Sequence, residues 1–131
     1  MCKFVNIGKE IEKEVLKKTP PAFFIGIDAI IGIDNSYLSY ILNSDEEVIA
    51  QIAPLSRKKR RMIYIYLDRI EKKRKKNKEV IKTILHELVH NFEIYKGSFW
   101  PGIYAANEIY RKREEEKADK ISGELFIKGH I

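Results

Sequence analysis

The stretch NKEVIKTILHELVHNFEIYKG, Asn77 to Gly97, decides both the fold and the chemistry of this chain. Val80, Ile81, Ile84, Leu85, Leu88 and Phe92 recur at three- and four-residue steps, so on an α-helix they share one apolar face that must be buried. Asn77 is suited to accept hydrogen bonds from the free amides of a helix start, and Lys96-Gly97 is suited to end one. The same segment carries His86, Glu87 and His90. Residues four apart stand one turn apart on the same face, so the two imidazoles can reach a single metal ion, with Glu87 beside them.

Working outward, Met62 to Leu67 is β-branched and aromatic and reads as the clearest strand. Ala22 to Ile33, rich in Ile and Phe with Gly26 and Gly32, predicts one or two further strands before a turn at Asp34-Asn35-Ser36. Ile7, Ile11, Val15 and Leu16 lie at helical spacing and predict an amphipathic first helix that Pro20-Pro21 ends. Tyr37 to Leu42 fits either element. Asp45 to Ala53 leans to a short helix, although Val48, Ile49 and Ile52 would also suit a strand. After Trp100-Pro101-Gly102, a final helix is expected from about Ala105 to Lys128, with Ile109, Ala118, Ile121 and Leu125 facing inward. Together these elements predict an α+β fold.

The chain has 131 residues, 44% of them hydrophobic, which is enough for one core and one domain over residues 1–131. No signal-like stretch opens it and no apolar run spans a bilayer, so a cytoplasmic chain without a membrane span is expected. A single cysteine, Cys2, leaves no disulfide and no cysteine-based metal cluster, so any metal must be held by His and carboxylates. Charged residues make up 34% of the chain and Gln occurs once, a bias like that of thermophile proteins. The net charge of +6 is concentrated in Arg57 to Arg61 and Lys72 to Lys76. These clusters read first as solvated faces; nucleic acid is the less favoured partner, because no aromatic side chain is interleaved for stacking.

Two histidines leave a catalytic zinc one protein ligand short. Glu114, Glu115 and Glu116 on the final helix offer the third. Of these, Glu115 has Asp119 four residues on, a like-charge pair that costs a bare helix a few tenths of a kcal/mol. Zinc bound by Glu115, with Asp119 accepting the second ring N–H of a ligand histidine, would offset that repulsion and fix the ring's tautomer. Glu116 is expected to pair with Lys120, and Glu114, opposite Ala118, has no evident role. A solvated acidic run is the alternative reading of all three.

His86-Glu87-Leu88-Val89-His90 followed by Glu115-Glu116-Lys117-Ala118-Asp119 resembles the gluzincin-type metallopeptidases, in which HExxH on one helix is completed by Glu from an ExxxD pattern on a later helix. The local wording looks most like the HtpX-type and ImmA/IrrE-type domains, and the resemblance covers roughly Met62 to Leu125. It implies a small mixed sheet packed on the HExxH helix, with an edge strand that takes up extended peptide. Met62 to Leu67 is the best candidate for a strand of that sheet. It also implies Zn2+ as cofactor, His86, His90 and Glu115 as metal ligands, Asp119 supporting a ligand histidine, and Glu87 as general base and acid toward a peptide or protein substrate. The chain lacks the transmembrane helices of the HtpX type and the appended domain of the ImmA/IrrE type, and looks like a minimal catalytic domain similar to the soluble minigluzincins. That likeness implies latency through the C-terminal segment, where His130 is the remaining histidine; a disordered terminus is the alternative. Tyr104, Tyr110 and several Arg residues compete for the role of oxyanion donor. The competing functional reading is a non-catalytic or regulatory zinc scaffold that binds a protein partner or nucleic acid through the basic clusters.

Overall fold

The computed structural model describes residues 2–70 and 75–129. In chain order these form strand β1 (Lys3–Val5), helix α1 (Lys9–Lys18), a 3-10 turn (Pro21–Phe24), β2 (Ile27–Ile33), α2 (Ser36–Leu42), β3 (Ala50–Ala53) and β4 (Arg61–Tyr66). The helices α3 (Leu67–Ile70), α4 (Lys76–Lys96), α5 (Pro101–Ala106) and α6 (Glu108–Lys128) complete the chain. The fold is α+β, with one four-stranded mixed sheet in the order β1-β2-β4-β3. β1, β2 and β4 run parallel, and β3 closes the sheet antiparallel to β4, with Gln51 opposite Tyr64.

The interior strands are near-continuous apolar runs, as strands covered on both faces must be. Ile27, Ile30, Ile63 and Ile65 are buried against Val80, Ile84, Leu85 and Leu88 of α4, and Val15 of α1 and Leu125 of α6 close the core. Each such side chain contributes about 1.5–3 kcal/mol by leaving water, so the α4 stripe alone anchors the helix firmly to the sheet. The face of α4 that carries His86 and Glu87 turns away from this core, toward β3 and α6.

Several local expectations change. Asp45 to Ala53 is not a helix: Asp45 forms a turn, its carboxylate accepting from the Glu47 amide at 3.0 Å, and the chain then pairs along β4. The β-branched residues Val48, Ile49 and Ile52 win here because β4 offers an open edge; the Ile49 carbonyl accepts from the Tyr66 amide at 2.9 Å. The strand expected over Met62 to Leu67 is β4, with Leu67 opening α3; it lies inside the sheet, and β3 takes the edge beside α4. Of Ala22 to Ile33 only Ile27–Ile33 is strand, and the ambiguous segment after Asn35 is helical because the Asn35 side chain accepts from the Tyr37 and Leu38 amides. α4 starts at Lys76, after Lys75 in a left-handed conformation, so Asn77 lies inside the helix and is not its cap. The single helix expected from Ala105 is divided into α5 and α6 at Asn107, whose side chain accepts from the Tyr110 amide at 2.9 Å. Ile109 and Leu16, expected inward, are exposed. β1 escaped the sequence reading because three residues are too few to show a period.

The first basic cluster is not a uniformly solvated face. Arg61 is 1% exposed, and its guanidinium donates to Asn91 Oδ1 on α4 at 2.7 Å and to the carbonyls of Ile25 and Ser56. Asn91 in turn donates to the carbonyls of Phe23 and Ile25. Gly26, at φ +86°, leaves room for this guanidinium: a Cβ there would collide with Arg61 Nη2. Arg60 pairs with Asp28 at 2.6 Å. Lys72, Lys73 and Arg74 of the second cluster, and His130, lie outside the described residues. No helix among the described residues is long and apolar enough to cross a membrane.

Candidate metal centre

α4 and α6 pack together so that the HExxH turn of one meets the ExxxD turn of the other. His86 Nε2 lies 2.7 Å from Glu115 Oε2 and 3.1 Å from His90 Nε2, and His90 Nε2 lies 3.2 Å from Glu115 Oε1. One donor atom from each of these residues falls within 4.8 Å of the others. On the outer side, His86 Nδ1 stands 2.7 Å from Asp119 Oδ1, so the carboxylate accepts the ring N–H and directs Nε2 inward. His90 Nδ1 is buried with no hydrogen-bond partner among the described residues, so this ring is oriented by packing against Phe99 and Tyr104 instead.

The donor set fits zinc. Two imidazoles and a carboxylate are common zinc ligands, and bonds of about 2.0–2.2 Å at tetrahedral angles require ligand atoms roughly 3.3 Å apart. The two separations from His90 Nε2, 3.1 and 3.2 Å, match that requirement, while His86 and Glu115 are at hydrogen-bond length. The electrostatics agree. Burial would lower the His86 pKa, yet its hydrogen bond to Glu115 and the charges of Glu87, Glu115 and Asp119 raise it to about 9. A group of carboxylates that retains a proton against desolvation also favours a metal cation in the same place. Burial would raise the Glu115 carboxyl, but its bonds to His86 and His90, with Tyr104 adding to them, hold it far below the ordinary range.

Glu87 faces a cleft of about 710 Å³ and makes no hydrogen bond among the described residues. Burial pushes its pKa upward and the charges of His90 and His86 pull it down, with a net rise. The opposite wall of the cleft is the β3 edge, with Ala50, Gln51 and Ile52 preceded by Val48 and Ile49. Tyr104, from α5, enters the cleft beside Phe99, and its hydroxyl donates to Glu115 Oε1. Burial and the adjoining Glu115 keep its pKa above the ordinary value, so it stays a donor. Tyr110 is occupied elsewhere: its hydroxyl accepts from the Trp100 amide at 3.0 Å. The expectation of one continuous helix from Ala105 passed over the local cap at Asn107, which puts Tyr104 on α5 and Tyr110 on α6 and so separates the two tyrosines.

The remaining acidic residues separate clearly. Glu116 is exposed and forms no ion pair with Lys120 among the described residues. Glu114, to which no role was assigned from sequence, is 7% exposed and shares Lys117 with the buried Glu93 of α4, at 3.7 and 3.2 Å. The exposed Lys117 thus joins two buried carboxylates and clamps α4 to α6 beside the candidate ligands, and spacing alone does not reveal it.

Compared with known protein families, curated proteins and solved structures, the chain matches none.

Proposed function

We propose that this chain is a zinc-dependent metallopeptidase acting on extended peptide. The observation that supports this most directly is the convergence of His86, His90 and Glu115 at the floor of a cleft that also contains the uncommitted carboxylate of Glu87. When bound by these three residues, zinc would polarise the scissile carbonyl and make water a better nucleophile.

The protein's own groups supply the rest. Glu87, which faces the cleft without a hydrogen-bond partner among the described residues, takes a proton from the attacking water and returns it to the leaving amine. Tyr104 is placed to turn its hydroxyl from Glu115 to the developing oxyanion, the electrostatic role the reaction requires. The β3 edge offers unpaired backbone groups to a peptide added as a further strand, which holds the scissile bond over α4. Binding nucleic acid through Arg57 to Arg61 is less well supported, since Arg61 is buried, Arg60 is paired and Arg57 Nε donates to the Tyr95 carbonyl.

Elemental analysis beside cleavage of an unfolded protein tests the proposal. Wild type and Glu87→Gln are expected to hold one zinc per chain, and His86→Ala and Glu115→Ala to lose it; only the wild type cleaves. A wild type that binds no zinc, or a zinc-loaded Glu87→Gln that cleaves as fast as wild type, would overturn it.

A further inference from the structure

Lys82 lines the same cleft one helical turn before His86; Lys78, one turn farther from His86, stands outside the cleft lining and beside Lys82. Their ammonium groups and that of Lys18 gather around a single ring, Phe126 of α6, at 5.3, 5.7 and 5.2 Å from its centroid. Three like charges around one ring repel each other, and a cation–π contact at such a site offsets only about 0.5–1 kcal/mol apiece. Lys18 has structural reasons to be there: it donates to the Phe126 carbonyl at 2.8 Å and pairs with Glu14 at 3.7 Å, tying α1 to the end of α6. Lys78 and Lys82 have no such ties. Glu79 lies on the same wall, yet neither lysine forms an ion pair among the described residues.

We infer that Lys78 and Lys82 form a subsite for a carboxylate of the bound peptide, either an Asp or Glu side chain or the peptide's C-terminus. The inference rests on the reading of the cleft as a peptide site. One and two helical turns place the backbones of these lysines about 6 and 12 Å along α4 from His86, at 1.5 Å per residue, and their ammonium groups meet between these limits at Phe126. A peptide extended along β3 advances about 3.3 Å per residue, so the carboxylate falls roughly two to four residues from the cleaved bond, on one side of it. Glu79 adds selectivity by repelling a peptide whose acidic group lies outside the reach of the lysines.

Fluorescence anisotropy at low salt with Glu87→Gln protein tests this using three labelled peptides of one sequence. The first carries Glu and an amidated C-terminus, the second Gln and a free C-terminus, the third Gln and an amidated C-terminus. At least one carboxylate peptide is expected to bind about tenfold more tightly than the neutral one, and Lys78→Met/Lys82→Met is expected to remove the difference. The peptide that gains identifies the source of the carboxylate. Equal binding of all three, no binding of any, or an advantage that survives in the double variant would overturn the inference. Cleavage by the wild type is scored separately, so a chain that binds acidic peptide without cutting it contradicts the peptidase reading alone.

Discussion

His86 Nδ1 and Asp119 Oδ1 lie 2.7 Å apart, although the two residues are on different helices and Asp119 is largely exposed. This contact fixes which nitrogen of His86 faces His90 and Glu115. Asp119→Asn is therefore expected to weaken zinc binding about 10- to 100-fold while leaving saturated zinc content near one. Competition against a chelator of known affinity measures the change; an unaltered affinity would mean that packing alone orients the ring.

Tyr104→Phe removes the hydroxyl directed at Glu115 and leaves the ring against Phe99. If this hydroxyl stabilises the oxyanion, kcat on an unfolded substrate falls about 10²- to 10³-fold at unchanged zinc stoichiometry. Tyr110→Phe, whose hydroxyl serves the Trp100 amide, is the control and keeps its activity.

The buried Arg61 predicts a purely structural loss. Arg61→Ala strands Asn91 Oδ1 and several carbonyls without donors, and it is expected to lower stability by about 3 kcal/mol or more. Gly26→Ala should destabilise as well, because it combines a positive φ with a Cβ placed on the guanidinium. Urea unfolding of the metal-free protein reads both; wild-type stability in either variant would contradict this role.

Legibility followed periodicity. The α4 stripe has a strong helical period and the β4 run a β-branched and aromatic composition, so both elements and the helical spacing of His86 and His90 are legible in the sequence. The Glu115–Asp119 repulsion singled out the facing pair because a cost on one helix implied a partner from another. What was missed depends on contacts distant in sequence. Ala50–Ala53 is a strand only because β4 lies beside it. The exception is Asn107, whose cap on the Tyr110 amide is local and separates Tyr104 from Tyr110 without any distant contact. Glu114 looks solvated until Lys117 and Glu93 are seen to enclose it.

Glu93 gives a pH signature. Burial would raise its pKa, but the Ser98 hydroxyl and Lys117 hold it below the ordinary value. A depressed folded pKa adds stability above the unfolded value of about 4.3, and that stability is lost as pH falls through the folded value. Metal-free wild type should lose stability on acidification below about pH 5, and Glu93→Gln should show a shallower loss from a lower starting point. Parallel pH profiles in urea titrations would contradict the assignment.

Zinc-edge anomalous scattering from crystals grown with one equivalent of zinc tests the central claim most directly. The account predicts one strong peak bonded to His86 Nε2, His90 Nε2 and a Glu115 oxygen, with Asp119 still on His86 Nδ1. A peak elsewhere, or none at these three residues, would contradict it.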